Sequence, residues 1–179
     1  ANYNPSDDEL LKLVAAELAK NASKQFIVLH TYGSHFNYRE RYPSDNAYFL
    51  PDFPVDAEVK YKDNLVNAYD NSIRYTDDFL ARLIEMLQEQ NVDAAMLYTS
   101  DHGEDIFDDN RRLFLHASPV PSYYQIHVPF LVWMSDGYRR NYPVLLRNAE
   151  AKQAEKHFIQ RVFLSDYAGT GRSGDTLPE

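Results

Sequence analysis

The sequence predicts an α/β domain with a largely parallel sheet sandwiched by helices. Three short apolar runs have the length of buried strands: QFIVLHT at 25–31, DAAMLYTS at 93–100 and VPFLVWMS at 128–135. Helical patterns lie between and beside them, and near-continuous apolar strands are typical of sheets that are covered on both faces. In such sheets, ligands gather beyond the carboxyl ends of the strands.

Helices and loops account for the remaining chain. The first helix is predicted to begin at Ser6, a suitable N-cap that is followed by three acidic residues in the first turn. The longest helix is predicted over 61–91, where apolar residues recur on one face, and another is predicted over 149–163. Residues 32–61 contain three prolines and many tyrosines. We expect a long loop there, either ordinary solvated packing or a lid over a substrate. A second loop is expected over 103–127.

Composition narrows the class of protein. A chain of 179 residues suits one domain with a real core, and a net charge of −9 argues against nucleic acid or an anionic membrane surface as the main partner. The chain has no cysteine, which excludes disulfides and zinc sites built on sulfur. No apolar run approaches the ~20 residues of a transmembrane helix.

A candidate metal site lies in the sequence LYTSDHGEDIFDD, where Asp101 and His102 follow the second predicted strand. Adjacent side chains on a strand point to opposite faces, so these two reach one ion only if the strand has ended, and Gly103 permits the turn. A carboxylate oxygen and an imidazole nitrogen suit zinc or manganese, but a catalytic zinc usually takes about three protein ligands. The same residues occur in ordinary turns, so the motif alone leaves both interpretations open.

Two further histidines are candidates for the same site. His35 follows the first predicted strand, and His116 lies fourteen residues beyond His102. Taken alone, each is more simply interpreted as a loop histidine. His30, inside the first predicted strand, is predicted to be a core residue or to support a metal ligand, whereas His127 is predicted to be structural and His157 to lie on the surface.

Five motifs carry a family resemblance: HTYGSHFNYRERYP, YDNSIRYTDDFLARLIEML, LYTSDHGED, LFLHASP and HVPFLVWMSD. Their order and spacing resemble those of the phosphoethanolamine transferases that modify lipid A and cause colistin resistance, which are sulfatase-like enzymes of the alkaline phosphatase superfamily. The resemblance spans residues 10–136. It implies an incomplete alkaline phosphatase/sulfatase-like fold, in which residues 1–164 form the C-terminal portion of the catalytic domain. Residues 165–179 do not match the family and show no sequence pattern, so we expect a frayed tail there. It also implies the soluble domain of a membrane-anchored protein on the periplasmic side of the bacterial inner membrane.

The same resemblance implies roles for the candidate residues. Asp101 and His102 would bind the catalytic zinc, whereas His35 and His116 would contact the phosphoryl group or a second zinc. Glu104 would either hydrogen-bond to a metal ligand without touching the metal itself, or contact the substrate amine. The implied reaction moves phosphoethanolamine from phosphatidylethanolamine onto a threonine, and then onto a lipid A or glycan acceptor.

The sequence departs from the family pattern at the nucleophile. The family's acidic metal ligand and its threonine nucleophile lie in the N-terminal half of the catalytic domain, and neither motif is present here. Thr31, Thr76 and Thr99 lie outside the nucleophile's context. We therefore expect a chain without a catalytic residue of its own, which needs the missing N-terminal half as a partner and does not turn over alone. Two alternatives stay open: a sulfatase or glycerol-phosphate transferase of the same superfamily, and a non-catalytic binding module.

Overall fold

A computed structural model describes residues 6–116 and 118–154 of the chain. The elements in chain order are α1 (Asp8–Leu18), α2 (Lys62–Glu89), β1 (Ala95–Thr99), β2 (Asp105–Ile106), β3 (Phe114–Leu115), α3 (Tyr123–Ile126), β4 (Phe130–Met134), α4 (Asp136–Asn141) and α5 (Pro143–Ala154). Among these elements, no helix combines the length and the apolar character needed to cross a membrane. The predicted helix at 149–163 corresponds to α5, which begins earlier, at Pro143. Its second half, the boundary at 164 and the predicted tail lie outside the described residues.

The long helix α2 confirms the helix predicted over 61–91 and joins two apolar cores. The first core attaches α1 to the C-terminal half of α2 and is formed by Val14, Phe79, Leu80 and Leu83. A salt bridge of 2.6 Å between Arg82 and Asp8 closes its edge. Burial opposes ionisation of Asp8, but hydrogen bonds from Tyr75 and Arg82 outweigh it and lower the pKa of this carboxyl below its ordinary value.

The second core lies at the N-terminal half of α2, beneath the candidate site. Its buried members are Tyr38, Leu65, Ala68 and Ile106. Tyr38 belongs to one of three single-turn 3₁₀ helices in the long loop, at Tyr38–Glu40, Ser44–Asn46 and Val59–Tyr61. The predicted loop over 32–61 is therefore confirmed, and its first part supplies a core residue.

Asn71 on α2 anchors the middle of this loop. Its side-chain oxygen accepts hydrogen bonds from the backbone N–H groups of Tyr48 and Phe49, both at 2.9 Å, and its amide nitrogen donates to the Phe49 carbonyl at 3.0 Å. Asn71 is 1% exposed. Because one buried side chain satisfies three backbone groups, the loop is held against α2 without regular secondary structure.

The sheet differs from the prediction. β1 pairs with β4 in antiparallel register, from Ala95 opposite Met134 to Thr99 opposite Phe130, and β2 pairs antiparallel with β3. The predicted parallel pairing does not occur in the described part of the chain. The predicted strands at 93–100 and 128–135 are confirmed as β1 and β4.

The predicted buried strand at 25–31 is wrong for this structure. The segment forms no strand, and its apolar side chains Phe26 and Val28 are 92% and 76% exposed. Within the described residues its backbone makes no backbone–backbone hydrogen bond, and only Leu29 packs against the first core. A cleft of about 3030 Å³ is lined by this segment and by β1. A strand needs a hydrogen-bonded neighbour, and the described chain supplies none here.

We expect Asn71→Ala to lower the free energy of unfolding by about 2–3 kcal/mol, because it leaves three loop backbone groups without their partner. Asn67→Ala is the matched control on the same helix, since Asn67 makes one exposed bond of 2.9 Å to the Pro51 carbonyl. It should cost less than about 1 kcal/mol. Urea denaturation of both variants measures the difference. Equal losses would show that Asn71 does not anchor the loop.

Candidate metal centre at the end of β1

The chain turns sharply directly after β1, where the candidate pair lies. The Ser100 hydroxyl donates to the His102 carbonyl at 2.7 Å, and the His102 N–H donates to Asp101 Oδ1 at 3.1 Å. The Gly103 N–H donates to the Gln125 carbonyl at 2.7 Å, which ties the turn to α3. The strand thus ends before the Asp-His pair, as the two side chains require if they are to approach one ion.

The imidazole of His102 is oriented for metal binding. Its Nδ1 lies 3.0 Å from the Gly103 carbonyl oxygen, which can only accept, so Nδ1 carries the proton. Nε2 is left with a free lone pair, and Asp101 Oδ2 lies 3.9 Å from it. The Asp101 side chain is 88% exposed, so its carboxylate has room to turn toward an ion beside Nε2.

The short β2–β3 ribbon brings Glu104 and His116 together. Asp105 pairs with Leu115, so the next position in the antiparallel register sets Glu104 opposite His116. Glu104 Oε1 lies 3.0 Å from His116 Nδ1. Residues that are twelve apart in sequence become direct neighbours because of this register.

Three of the five predicted site residues form one group, and the other two lie beside it. Potential ligand atoms of His102, Glu104 and His116 all lie within 4.8 Å of one another. The rings of His102 and His116 stack with centroids 3.6 Å apart, and the His35 ring lies 6.5 Å from that of His116. Asp101 lies at the exposed edge of the group. The specific role of each residue stays a prediction.

The donor set fits zinc. Two imidazoles and one or two carboxylates are ligands that zinc accepts, whereas magnesium and calcium prefer oxygen alone. The Glu104 side chain is only 4% exposed, and a buried carboxylate is stable only if hydrogen-bond donors or cations compensate its charge.

Tyr38 supplies part of that compensation, and sequence reasoning missed it. Its hydroxyl donates to Glu104 Oε2 in a short hydrogen bond, and the residue is fully buried. Burial, and then the bond to Glu104, raise the pKa of Tyr38 well above its ordinary value, so the phenol stays a neutral donor. Burial and the nearby Glu104 charge likewise raise the pKa of Tyr69 to about 12. The only sequence signal was that Tyr38 lies three residues after His35, one tyrosine among fourteen.

Backbone strain is concentrated beside the same group. Phe107 and Leu115 have positive φ values of 56° and 65°, and Leu115 directly precedes His116. Bulky residues in this region cost on the order of 1–3 kcal/mol each and persist only where the surrounding structure fixes them. The ribbon pairing and the second core, which both residues contact, provide that constraint.

The other histidines of the described residues do not belong to this group. His30 is exposed, so its predicted core position is wrong, because the segment that carries it is not buried. His127 is also exposed and stacks on Tyr123 at 4.4 Å, and His157 lies outside the described residues. The hydroxyls of Thr76 and Thr99 donate to the carbonyls of Ser72 and Ser100.

The chain belongs to the sulfatase family, whose sequence model matches residues 1–165. Among curated proteins it is 37% identical over 164 residues to the Kdo(2)-lipid A phosphoethanolamine 7''-transferase of Escherichia coli strain K12, covering 86% of this chain and 28% of that protein. The chain thus spans less than a third of this relative.

Solved structures agree with this relationship. The soluble domain of lipooligosaccharide phosphoethanolamine transferase A from Neisseria meningitidis is similar, with a TM-score of 0.75 and 28% identity over 92% of this chain and 48% of that one. The C-terminal periplasmic domain of EcEptC from Escherichia coli, solved as a complex with Zn, has a TM-score of 0.70 and 27% identity over 80% of this chain and 41% of that one. These similarities confirm the predicted family resemblance and the incomplete α/β fold class.

We expect Gly103→Ala to destabilise the site region. A Cβ at this position would overlap the Tyr124 carbonyl oxygen, which is backbone and cannot move aside, so we expect a loss of about 1–3 kcal/mol in unfolding free energy. Gly137→Ala is the control, because its Cβ would meet only the exposed Asp93 carboxylate, which can rotate away. Thermal denaturation compares the two variants. If Gly103→Ala were as stable as Gly137→Ala, the close approach of the turn to α3 would be refuted.

Proposed function

We propose that this chain is part of a zinc-dependent phosphoethanolamine transferase, in which it supplies metal and phosphate contacts while the rest of the catalytic domain supplies the threonine nucleophile. The observation that carries the proposal is the close approach of His102, Glu104 and His116 beside Asp101, directly beyond β1. The activity in the name of the E. coli relative and the zinc complex of the related periplasmic domain support the choice of reaction and metal.

Each side chain then has a defined task. Asp101 and the Nε2 atom of His102 hold the zinc, which when bound lowers the pKa of the nucleophile and neutralises charge on the phosphoryl group. His35 and His116, with rings 6.5 Å apart, face the phosphoryl oxygens or a second zinc and hold or protonate those oxygens. Glu104 holds His116 from the buried side.

The missing partner is the N-terminal half of the same catalytic domain. Two observations support this assignment: the chain spans less than half of the related soluble domains, and the cleft between residues 25–31 and β1 leaves apolar strand-like residues exposed. Because His35, Asp101 and His102 also line this cleft, a domain half that fills it would bring its own residues to the metal.

The substrates and location follow from the relatives. We assign a phospholipid donor and a lipid A or glycan acceptor, and a position on the periplasmic side of the bacterial inner membrane in a membrane-anchored protein. The lipid A acceptor in the name of the E. coli relative and the periplasmic origin of the related E. coli domain support these assignments.

Zinc titration of the chain tests the metal site. Asp101→Ala and His102→Ala should each weaken zinc binding by more than ~100-fold, beyond the loss expected for an outer-shell partner. His127→Ala is the control, since it removes an exposed imidazole outside the group. Isothermal titration calorimetry measures all four proteins. If zinc bound equally to the wild type and to His102→Ala, the assigned ligands would be wrong.

A transfer assay tests whether the nucleophile comes from the other half of the catalytic domain. The chain alone should release no phosphoethanolamine from phosphatidylethanolamine vesicles. Joining it to the N-terminal part of the E. coli relative's catalytic domain should produce transfer that Asp101→Ala abolishes. Turnover by the chain alone would refute the assignment of the nucleophile to the other half. Zinc binding without turnover in the joined protein would favour a non-catalytic binding module.

A further inference from the structure

We propose that Tyr38 is a positioning residue, which acts through Glu104 to hold His116 with its proton on Nδ1 and its Nε2 atom free to bind metal or phosphoryl oxygen. This inference rests on the proposed function for the use made of Nε2. The hydrogen-bond chain from Tyr38 to His116 does not depend on a metal.

The two carboxylate oxygens of Glu104 have different partners. Oε2 accepts from the Tyr38 hydroxyl, whereas Oε1 lies 3.0 Å from His116 Nδ1. An ionised carboxylate only accepts, so the hydrogen bond requires the proton of neutral His116 to be on Nδ1. Glu104 therefore acts as the support of His116, although its distance alone would also allow it to be a ligand.

Tyr38 is the fixed end of this chain of contacts. Its ring is fully buried in the second core with Leu65 and Ala68, and it makes edge contacts with the rings of Phe36 and Tyr69 at centroid distances of 5.3 and 4.9 Å. A ring packed on several sides cannot follow a moving carboxylate. Glu104, which is only 7% exposed, is thus held by a donor that belongs to the hydrophobic core.

The hydroxyl, more than the ring, is what Glu104 requires. Without the hydroxyl, Oε2 would be a buried acceptor with no partner. Rotation of the carboxylate toward solvent or toward a metal ion would then lower its free energy. His116 would then lose the acceptor that fixes its tautomer. The ring contacts of Tyr38 would remain, so a phenylalanine separates the positioning role from packing.

The first test measures zinc affinity. Tyr38→Phe should weaken zinc binding of the chain by about 10–100-fold, as expected when a group behind a ligand is lost. Tyr69→Phe is the matched control, because it removes a hydroxyl from the same core and keeps the Tyr38–Glu104 bond. Failure of the wild type to bind zinc would count against the proposed function. Wild-type binding that Tyr38→Phe left unchanged would overturn the part of the inference in which His116 Nε2 binds the metal.

The second test uses no metal and reads the tautomer of His116 by ¹⁵N NMR of the imidazole at about pH 8, where an ordinary histidine is neutral. The wild type should have its proton on Nδ1. In Glu104→Gln, Tyr38 should hold the amide oxygen, so the NH₂ group faces Nδ1 and the proton should move to Nε2. Adding Tyr38→Phe should free the amide to rotate, so that its oxygen can again face Nδ1 and the Nδ1 proton returns in part of the population.

That rescue is specific to positioning. A residue that only fills space would not shift the tautomer of Glu104→Gln, and a double variant with the same tautomer population as Glu104→Gln would overturn the inference. The Glu104→Gln variant tests the inference even if Tyr38→Phe folds poorly. An unchanged His116 tautomer in Glu104→Gln would already refute the hydrogen-bonded path from Tyr38 to His116.

Discussion

The burial of one carboxylate constrains the whole site. Glu104 is 7% exposed, and a carboxylate in that environment needs hydrogen-bond donors at both oxygens. One donor comes from the core through Tyr38 and the other faces it across the β2–β3 ribbon from His116. A slip of this ribbon by one residue would turn Glu104 to the opposite face. The hydrogen bonds of the Glu104 carboxylate therefore depend together on the ribbon register, the buried Tyr38 and the left-handed backbone at Leu115.

Helix α2 connects the residues around Glu104 to the rest of the chain. Its N-terminal half carries Leu65 and Ala68 beneath Tyr38, its middle anchors the loop through Asn71, and its C-terminal half packs against α1. The loop that contains His35 and Tyr38 thus depends on the same helix that supports Ile106 in β2. Loop and ribbon converge on the site because both pack against the N-terminal half of one 28-residue helix.

Local sequence patterns were enough to predict the elements that depend on local interactions. The 3.6-residue repeat identified α2, the apolar runs identified β1 and β4, and Asp-His-Gly after a strand identified the turn. Residues 25–31 were misassigned because an apolar sequence indicates that a segment can form a strand. It does not show that a neighbouring strand is present to pair with it. Tyr38 could not be predicted because its role depends on a ribbon register set by residues more than sixty positions away.

The charge of the chain points to the same chemistry as its geometry. A chain of net charge −9 repels a phosphate ester unless a cation intervenes. Two acidic groups near the site are already engaged, since Asp105 accepts from Gln125 and Asp108 accepts from the Ile106 N–H at 2.6 Å. Asp101 is exposed beside the free nitrogen of His102, so it is the carboxylate best placed to attract a cation. The imidazoles around it favour zinc over harder ions, so the proposed zinc would allow an acidic protein to hold the proposed anionic substrate.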